Sequence, residues 1–366
     1  MGINFFSVYI HIPFCKKKCN YCSFYSISQL SYKSAFIKSI LKELNIRSKL
    51  IKSRLPSLKT IYFGGGTPSI LNLKEIEELF LVFSRIKDFK TLDEVTFEAN
   101  PESLNVDKIK LLKDYGISRL SIGLQSSKDC YLKFLGRICT YKDFLKKYDI
   151  AKKNFSVNVD LIYGLPQQNE KDLIDDLNQL IRLKPDHLSF YGLEIYKNTP
   201  FWGKVKTDDK KMSRFYHLIR NFLISNGYNH YEISNFALKG KESKHNMNYW
   251  NYGEYIGFGP SAASHISGRR WTNISSVESY IKALNNDKIK LEYIEKLTET
   301  DILNERLMLG LRMCCGIDLN DDVYMKFKDE IADMVIKGYM EFFNGRVRIK
   351  PDYLFVFNSI VSNLIR

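Results

Sequence analysis

The chain has 366 residues, enough for two average domains or for one large α/β unit with an appendage. Hydrophobic residues make up 45% of the chain and aromatic residues 14%, which excludes a disordered or collagen-like protein. The formal net charge is +14, but the basic residues are scattered, so most of them are expected on solvated helix faces. Charge alone therefore does not select an anionic partner.

Six short β-rich segments alternate with longer segments that carry apolar residues at helical spacing. The predicted strands are 8–12, 60–63, 95–99, 119–124, 157–162 and 187–191. The predicted helices between and after them are 32–50, 73–86, 106–115, 142–153, 170–183 and 210–226. Parallel strands need crossover connections, so this series predicts a parallel sheet. Six units rather than eight predict an α/β fold built as an open, partial (β/α)6 barrel.

The pattern changes near residue 235, which predicts a core domain over 1–235 and a second region over 236–366. Residues up to 271 are rich in Gly, Asn and aromatic side chains and are predicted to form a loop region. The rest of the pattern predicts helices at 276–284, 301–313, 322–337 and 353–365 and a hairpin at 340–349 that turns at Asn344-Gly345. This order predicts a smaller α+β, winged-helix-like module that packs on the barrel; nucleic-acid binding is not expected.

Cysteine usage indicates a reducing compartment. The seven cysteines are an odd number, and residues 1–14 lack the basic region and cleavage site of a signal peptide. We therefore expect a cytoplasmic protein without disulfides. Cys130, Cys139, Cys314 and Cys315 show no ligand spacing and are predicted to be small buried hydrophobic residues.

The other three cysteines, Cys15, Cys19 and Cys22, form a C-x₃-C-x₂-C motif just after the first predicted strand. Structural zinc prefers four ligands, and no second cysteine pair is present; His11 could serve, but it lies inside the strand. A [4Fe–4S] cluster held by three thiolates keeps one iron open for an exchangeable ligand. The spacing favours the cluster and leaves zinc as an alternative.

Further motifs stand at the carboxyl ends of the later strands, where parallel α/β folds bind ligands. They are Gly64-Gly65-Gly66-Thr67-Pro68, Glu98-Ala99-Asn100-Pro101, Gly123-Leu124-Gln125 and Asp160-Leu161-Ile162-Tyr163-Gly164-Leu165-Pro166. Together with the cysteine motif, this set resembles the radical S-adenosylmethionine (SAM) superfamily. Within it, the set resembles the oxygen-independent coproporphyrinogen III oxidase family, including its HemW branch. The motifs occur in order and cover essentially the whole chain.

The resemblance implies that SAM binds the open iron of the cluster and that an electron donor reduces the cluster. The residues that match SAM contacts of the family are Tyr9, Gly65, Gly66, Thr67, Glu98, Gln125, Arg137 and Asp160. The N–H groups of glycines 64–66 would cradle the methionyl end, Glu98 would bond the ammonium or a ribose hydroxyl, and Arg137 would pair with a carboxylate.

Each of these matches has a purely structural alternative. Glu98 and Asp160 could be strand-end carboxylates that accept backbone N–H groups. Arg137 could be a surface cation and Tyr9 a core aromatic residue. A structural iron–sulfur or zinc module without SAM chemistry is the corresponding alternative for the whole chain.

Two features separate the chain from the oxidase pattern. Phe24 stands where the oxidase has a further cysteine, and only fourteen residues precede Cys15, where the oxidase has an extension. In addition, His245-Asn246-Met247-Asn248-Tyr249-Trp250 matches the H-N-x-x-Y-W signature of HemW proteins, which is linked to haem binding. The resemblance therefore implies a haem chaperone rather than an enzyme. A coproporphyrinogen III dehydrogenase, or another radical-SAM oxidoreductase, is the alternative.

The same signature predicts His245, Tyr249 and Trp250 as haem contacts. His and Tyr both serve as axial ligands of haem iron, and Trp offers flat apolar area. Arg269 and Arg270 could meet the propionates. The predicted partners are haem, the electron donor and a haem-acceptor protein, which could be membrane-associated. The alternative is that this aromatic segment only packs on the barrel.

Overall fold

Six parallel strands form the centre of the molecule. The structure, a computed structural model, describes residues 5–365, so residues 1–4 of the predicted core and residue 366 lie outside it. The strands are β1 (Phe6–Ile12), β2 (Leu58–Gly65), β3 (Glu94–Ala99), β4 (Arg119–Gln125), β5 (Ser156–Tyr163) and β6 (His187–Gly192). They pair in chain order, and in the described residues β1 and β6 do not pair with each other. The open, partial barrel is confirmed.

Helices connect these strands. They are α1 (Lys33–Ile46), α2 (Ser48–Lys52), α3 (Leu73–Ile86), α4 (Val106–Tyr115), α5 (Asp129–Phe134), α6 (Tyr141–Lys152), α7 (Glu170–Leu183) and α8 (Asp209–Ser225). Helix α4 begins and ends as its cap signals predict: Asn105 accepts the N–H of Lys108, and Gly116 follows with a φ of 96°. The first predicted helix is divided at Arg47, whose guanidinium pairs with Glu43.

Six further strands extend the sheet to twelve. They are β7 (Asn229–Glu232) and β8 (Asn235–Ala237) beside β6, and β9 (Tyr255–Phe258), β10 (Ala263–Ile266), β11 (Arg269–Asn273) and β12 (Leu291–Lys296) beyond β1. The predicted loop region over 236–271 is therefore wrong, because it forms strands β9–β11 and helix α9 (Lys244–Trp250). Its glycines mark close strand contacts: a Cβ on Gly257 would lie 2.3 Å from the carbonyl oxygen of Ala263.

The C-terminal part contains helices and a small antiparallel sheet, as predicted. Its helices are α10 (Val277–Asn285), α11 (Glu299–Arg312), α12 (Asp322–Lys326), α13 (Lys328–Ile336) and α14 (Phe357–Ser362), and its strands are β13 (Ile317–Asp318), β14 (Met340–Phe343) and β15 (Arg346–Ile349). Asn344 and Gly345 both have positive φ, which confirms the hairpin turn. The helix predicted over 322–337 is interrupted at Phe327, and the last helix is shorter than predicted. The division at residue 235 stays a prediction, because strands from both sides share the large sheet.

The barrel strands place polar residues inside and apolar residues outside. On β1, Val8, Ile10 and Ile12 are buried in the hydrophobic core, whereas the alternate residue Ser7 is hydrogen-bonded across the lumen side to Thr60 of β2 at 2.8 Å. This alternation fills the lumen with hydrogen-bonding side chains. Within residues 5–365, no helix has the length and hydropathy needed to span a membrane.

The cysteines outside the cluster motif differ in exposure. Cys139 is buried as predicted, but the prediction is wrong for Cys130 and Cys315, which are exposed. Cys130 lies on the short helix α5 and Cys315 in the turn after α11, where side chains reach the surface. All seven cysteines are free thiols.

Candidate functional site

The three motif cysteines lie on the loop between β1 and α1, at the carboxyl edge of the barrel. The Cys15 N–H donates to Ile27 O at 3.0 Å, and the Cys22 N–H donates to Cys19 O at 3.3 Å. All three thiols are half-buried. Thr67 Oγ1 lies 3.5 Å from Cys15 Sγ, and a guanidinium nitrogen of Arg137 lies 3.8 Å from Cys19 Sγ. The loop therefore brings its sulfur atoms next to hydrogen-bond donors.

Three thiols on one loop are a donor set that suits a [4Fe–4S] cluster. In residues 5–365, no three His, Cys, Asp or Glu side chains converge where one metal ion could be held. The thiolates of a [4Fe–4S] cluster each bind a different iron, so they need not converge. Burial raises the pKa of Cys15 and of Cys22, so metal binding must release their protons. The nearby donors stabilise the resulting thiolates.

The glycine motif follows β2 beside this loop. Gly65 has a φ of 110°, and a Cβ on Gly66 would lie 2.7 Å from the carbonyl oxygen of Phe14, so a larger residue does not fit at either position. The Gly65 N–H donates to Glu98 at 3.2 Å and the Gly66 N–H to Ile12 O at 2.9 Å. Because both N–H groups have acceptors within the chain, their contact with SAM stays a prediction.

Glu98 stands at the end of β3 and faces the lumen. Its carboxylate accepts the hydroxyl of Tyr62 at 2.6 Å as well as the Gly65 N–H. Burial raises the pKa of Glu98 to about 7, and the charge of Asp160 adds to this effect. A carboxyl group that titrates near neutrality in a cleft is typical of a functional site.

The titration of Glu98 makes a prediction about stability. A carboxyl whose pKa is higher in the folded than in the unfolded protein destabilises the fold as pH rises from about 4.5 through about 7. Glu98→Gln lacks this loss, so its free energy of unfolding relative to that of wild type should rise by about 2–3 kcal/mol when the pH is raised from 5 to 8. Urea unfolding of both proteins at the two pH values measures the gain. A constant difference would show that Glu98 does not titrate in this range.

Arg137 connects three parts of the site. Its guanidinium donates to Asn100 Oδ1 and to the carbonyl of Gly123, both at 2.8 Å, and reaches Cys19. Its Nε is buried, with no hydrogen-bond partner in the described part of the chain. A surface cation does not have these surroundings. A buried donor without an acceptor fits a site that receives a carboxylate.

Three further residues were predicted to contact SAM: Gln125, Asp160 and Tyr9. Gln125, the last residue of β4, is buried and has a φ of 79°, and the register of β4 with β5 shifts at this residue. Asp160 accepts Asn158 Nδ2 at 2.7 Å, and burial raises the pKa of Asp160. The ring of Tyr9 lies 5.9 Å from that of Tyr62. The residues predicted to contact SAM thus share the carboxyl half of the lumen.

Sequence reasoning gave no role to two residues that hold this set together. Tyr62 donates to Glu98, and Asn100 donates to Thr67 at 2.9 Å while accepting from Arg137. Tyr62 could have been found from strand alternation, because it lies two residues before Gly64 on the same face of β2. Asn100 lies in the Glu98-Ala99-Asn100-Pro101 motif, which indicated its place at the strand end but not its partners.

The predicted haem motif lies at the opposite, amino end of the barrel. The carboxylate of Glu94, the first residue of β3, accepts the N–H groups of Lys244 at 2.8 Å and His245 at 3.2 Å at the start of α9. His245 is buried, and its two ring nitrogens are hydrogen-bonded to Thr60 Oγ1 and Tyr249 Oη, both at 2.8 Å. Burial lowers the pKa of His245 to about 3, so its ring is neutral. Iron contact through His245 would require one of these hydrogen bonds to break.

The other motif residues face two directions. Asn248 is buried and donates to Ser7 Oγ at 2.9 Å, inside the barrel end. Tyr249 packs on the ring of Tyr255 at 4.6 Å. Trp250 lies against α11, where the guanidinium of Arg312 stands 4.4 Å from the ring centroid. One face of α9 therefore closes the amino end of the barrel through His245 and Asn248. Trp250 lies on another face, next to α11.

The capping of α9 by Glu94 can be tested. Glu94→Gln removes the negative charge that accepts two N–H groups at the helix N-terminus, and should lower the free energy of unfolding by about 1–2 kcal/mol. Urea unfolding at pH 7 measures the change. Asp93→Asn is the matched control, because the exposed neighbour Asp93 makes only a 4.0 Å ion pair with Lys59. Equal effects of the two substitutions would contradict the capping role.

A partial parallel βα barrel with a three-cysteine loop at its carboxyl edge defines the radical SAM class, and the family model described as Radical SAM superfamily matches residues 9–180. The chain is 34% identical over 350 residues to "Heme chaperone HemW" of Lactococcus lactis, covering 93% of this chain and 90% of the relative. It is also 34% identical over 348 residues to the Bacillus subtilis protein of that name, with 92% and 91% covered. The chain therefore belongs to the HemW family. Its superfamily implies a [4Fe–4S] cluster and SAM.

The fold has a solved counterpart. The structure of coproporphyrinogen III oxidase (HemN) from Escherichia coli, described as a radical SAM enzyme, matches with a TM-score of 0.84. The match covers 99% of this chain and 90% of the other at 20% identity. At that identity the likeness shows the fold alone.

Proposed function

We propose that the chain binds haem and delivers it to an acceptor protein, on a radical SAM scaffold. The observation that carries this proposal is the similarity over more than nine tenths of the chain to proteins named heme chaperone. Phe24, at the position of the extra oxidase cysteine, supports the same branch, and its side chain is 70% exposed beside the cluster loop. A coproporphyrinogen dehydrogenase has only the shared fold in its favour.

The cluster and SAM are proposed to occupy the carboxyl end of the barrel. Cys15, Cys19 and Cys22 would hold three irons and leave the fourth for SAM, and these groups when bound supply one-electron chemistry. Thr67 and Arg137 donate toward the thiolates and so stabilise their charged form.

The lumen residues supply the polar contacts of the proposed SAM site. Arg137 offers its unpartnered Nε to a carboxylate, and Glu98 offers a carboxylate to an ammonium or hydroxyl group. Gln125 lies on β4 and Asp160 on β5. The ring of Tyr9 on β1 packs beside that of Tyr62, which donates to Glu98. Gly65 and Gly66 keep the loop close to β1.

Haem is proposed to bind at the α9 motif, at the other end of the barrel. Tyr249 and Trp250 provide aromatic area there, and His245 supports α9 from within the barrel. Arg269 and Arg270 on β11 provide cations for propionates. The further partners are an electron donor for the cluster and a haem-acceptor protein, which could be membrane-associated. We further propose that the protein is cytoplasmic and that it does not bind nucleic acid.

Haem binding is tested on anaerobically purified protein with a reconstituted cluster. Titration with ferric haem should give a shifted Soret band that saturates at about one haem per chain. Affinity should fall modestly with added salt, because propionates are held by basic side chains. Free haem in buffer is the control for the spectrum. A titration without a saturating Soret shift would contradict the proposal.

A further inference from the structure

A second histidine lies beside the α9 motif. His265 on β10 pairs in register with Tyr255 on β9 and with Arg270 on β11. Directly opposed residues of antiparallel strands share one face of the sheet, so the three side chains form a row across three strands. The ring of Tyr252, two residues beyond α9, packs on His265 with a centroid distance of 4.6 Å. His265 therefore contacts the residues that directly follow helix α9.

His245 and His265 differ in which ring nitrogens are engaged. Both nitrogens of His245 are hydrogen-bonded within the chain. The Nε2 of His265, by contrast, is buried and has no hydrogen-bond partner among the described residues. A neutral imidazole with a free ring nitrogen is the form of histidine that binds metals.

The surroundings of His265 also suit a porphyrin. Asn248 Oδ1, Trp250 Nε1 and Tyr252 Oη are buried nearby on the same segment, and none of them has a hydrogen-bond partner within residues 5–365. Unsatisfied buried polar atoms are uncommon in native proteins, and a group of them along one segment indicates a missing ligand or bound water. The aromatic rings of this segment supply flat apolar area.

A cation stands next to His265 in the same row. Arg270 forms an ion pair with Glu305 of α11. A haem propionate is also a carboxylate, so it can replace Glu305 as the partner of this guanidinium.

We propose that Nε2 of His265 is the axial ligand of a haem iron held between α9, β10 and α11. The inference rests on the proposed haem chaperone function, because it names the ligand of that haem. Glu305 of α11 pairs with Arg270, and Arg312 of α11 lies over the ring of Trp250, so α11 covers this face. Helix α11 must therefore move before haem can reach Nε2. His245 keeps a structural role inside the barrel.

The test is a ferric haem titration followed by the Soret band and by EPR. His265→Gly should weaken haem binding at least tenfold and remove the imidazole-ligated signature. Added imidazole should restore that signature, because it fits the space of the deleted side chain. His265→Met keeps the side-chain bulk and should exchange the imidazole-ligated spectrum for a different one even if the glycine variant does not fold. His217→Gly, on α8, is the control and should behave as wild type.

His245→Gln and His245→Gly discriminate between the two histidines. The haem-bound fraction of His245→Gln should keep the imidazole-ligated spectrum, even if the protein is less stable. An unaltered spectrum in His265→Met, or imidazole rescue of His245→Gly instead of His265→Gly, would overturn the inference and leave the chaperone proposal intact. A wild-type protein that binds no haem would overturn both.

Discussion

Replacing Cys19 by alanine should remove most of the iron–sulfur cluster. The cluster would be held by three thiolates only, so the loss of one leaves two irons without protein ligands. Iron and sulfide analysis after anaerobic reconstitution, with the broad visible absorbance, should fall to a small fraction of the wild-type value. The secondary structure should persist, because Cys19 is a half-buried loop residue outside the barrel strands.

Cys314→Ser is the matched control for this experiment. Cys314 lies after α11, in the C-terminal part of the chain, and its N–H donates to Tyr231 O at 3.0 Å. Its replacement should leave iron content and absorbance unchanged. A full cluster in Cys19→Ala, or an equal loss in Cys314→Ser, would show that the cysteine motif does not hold the cluster.

Glu98→Ala should weaken SAM binding about tenfold to a hundredfold. Charge-assisted hydrogen bonds in buried sites contribute roughly 1.5–3 kcal/mol, and each 1.4 kcal/mol is a factor of ten in affinity. The change in the EPR signal of the reduced cluster during SAM titration gives the dissociation constant. Glu98→Gln should lie between alanine and wild type, because the amide retains hydrogen bonding without the charge.

Glu77→Ala, an exposed substitution on α3, is the control and should bind SAM as wild type does. If Glu98→Ala shows the wild-type constant, Glu98 is a structural carboxylate that fixes Tyr62 and Gly65 and does not contact SAM. If the wild-type EPR signal does not respond to SAM at all, the assignment of this lumen as a SAM site is contradicted.

The barrel could be predicted from the sequence because its signals are local. Helix α3 (Leu73–Ile86), helix α4 (Val106–Tyr115) and helix α7 (Glu170–Leu183) have the predicted bounds to the residue. Each begins after an Asn whose side chain caps the helix, and each carries apolar residues at helical spacing. The ends of the six barrel strands differ from the predicted ends by at most two residues, which is the expected uncertainty of element boundaries.

The predicted loop region over 236–271 is wrong because the structure of this segment depends on distant parts of the chain. Helix α9 starts on the carboxylate of Glu94, about 150 residues earlier, and β9 pairs with β1 at the other end of the sequence. Glycine and asparagine in this segment have the composition of turns. Long-range pairing overrides that local signal.

Only part of the candidate site can be predicted from the sequence, because the contacts between its residues also depend on distant parts of the chain. The motifs at strand ends indicate where ligands bind, because the carboxyl ends of parallel strands meet at one edge. The roles of Tyr62, Asn100 and His265 arise only when different strands bring their partners to them. The raised pKa of Glu98 likewise depends on burial that no local pattern reveals.

The central claim is that the chain carries haem rather than oxidising a porphyrinogen. The most direct measurement divides one reconstituted preparation between two assays. The first adds ferric haem without reductant, and the second adds coproporphyrinogen III with SAM and reductant. The account predicts a saturating Soret shift in the first assay and no protoporphyrinogen in the second. Turnover to protoporphyrinogen, with no saturable haem binding, would contradict it.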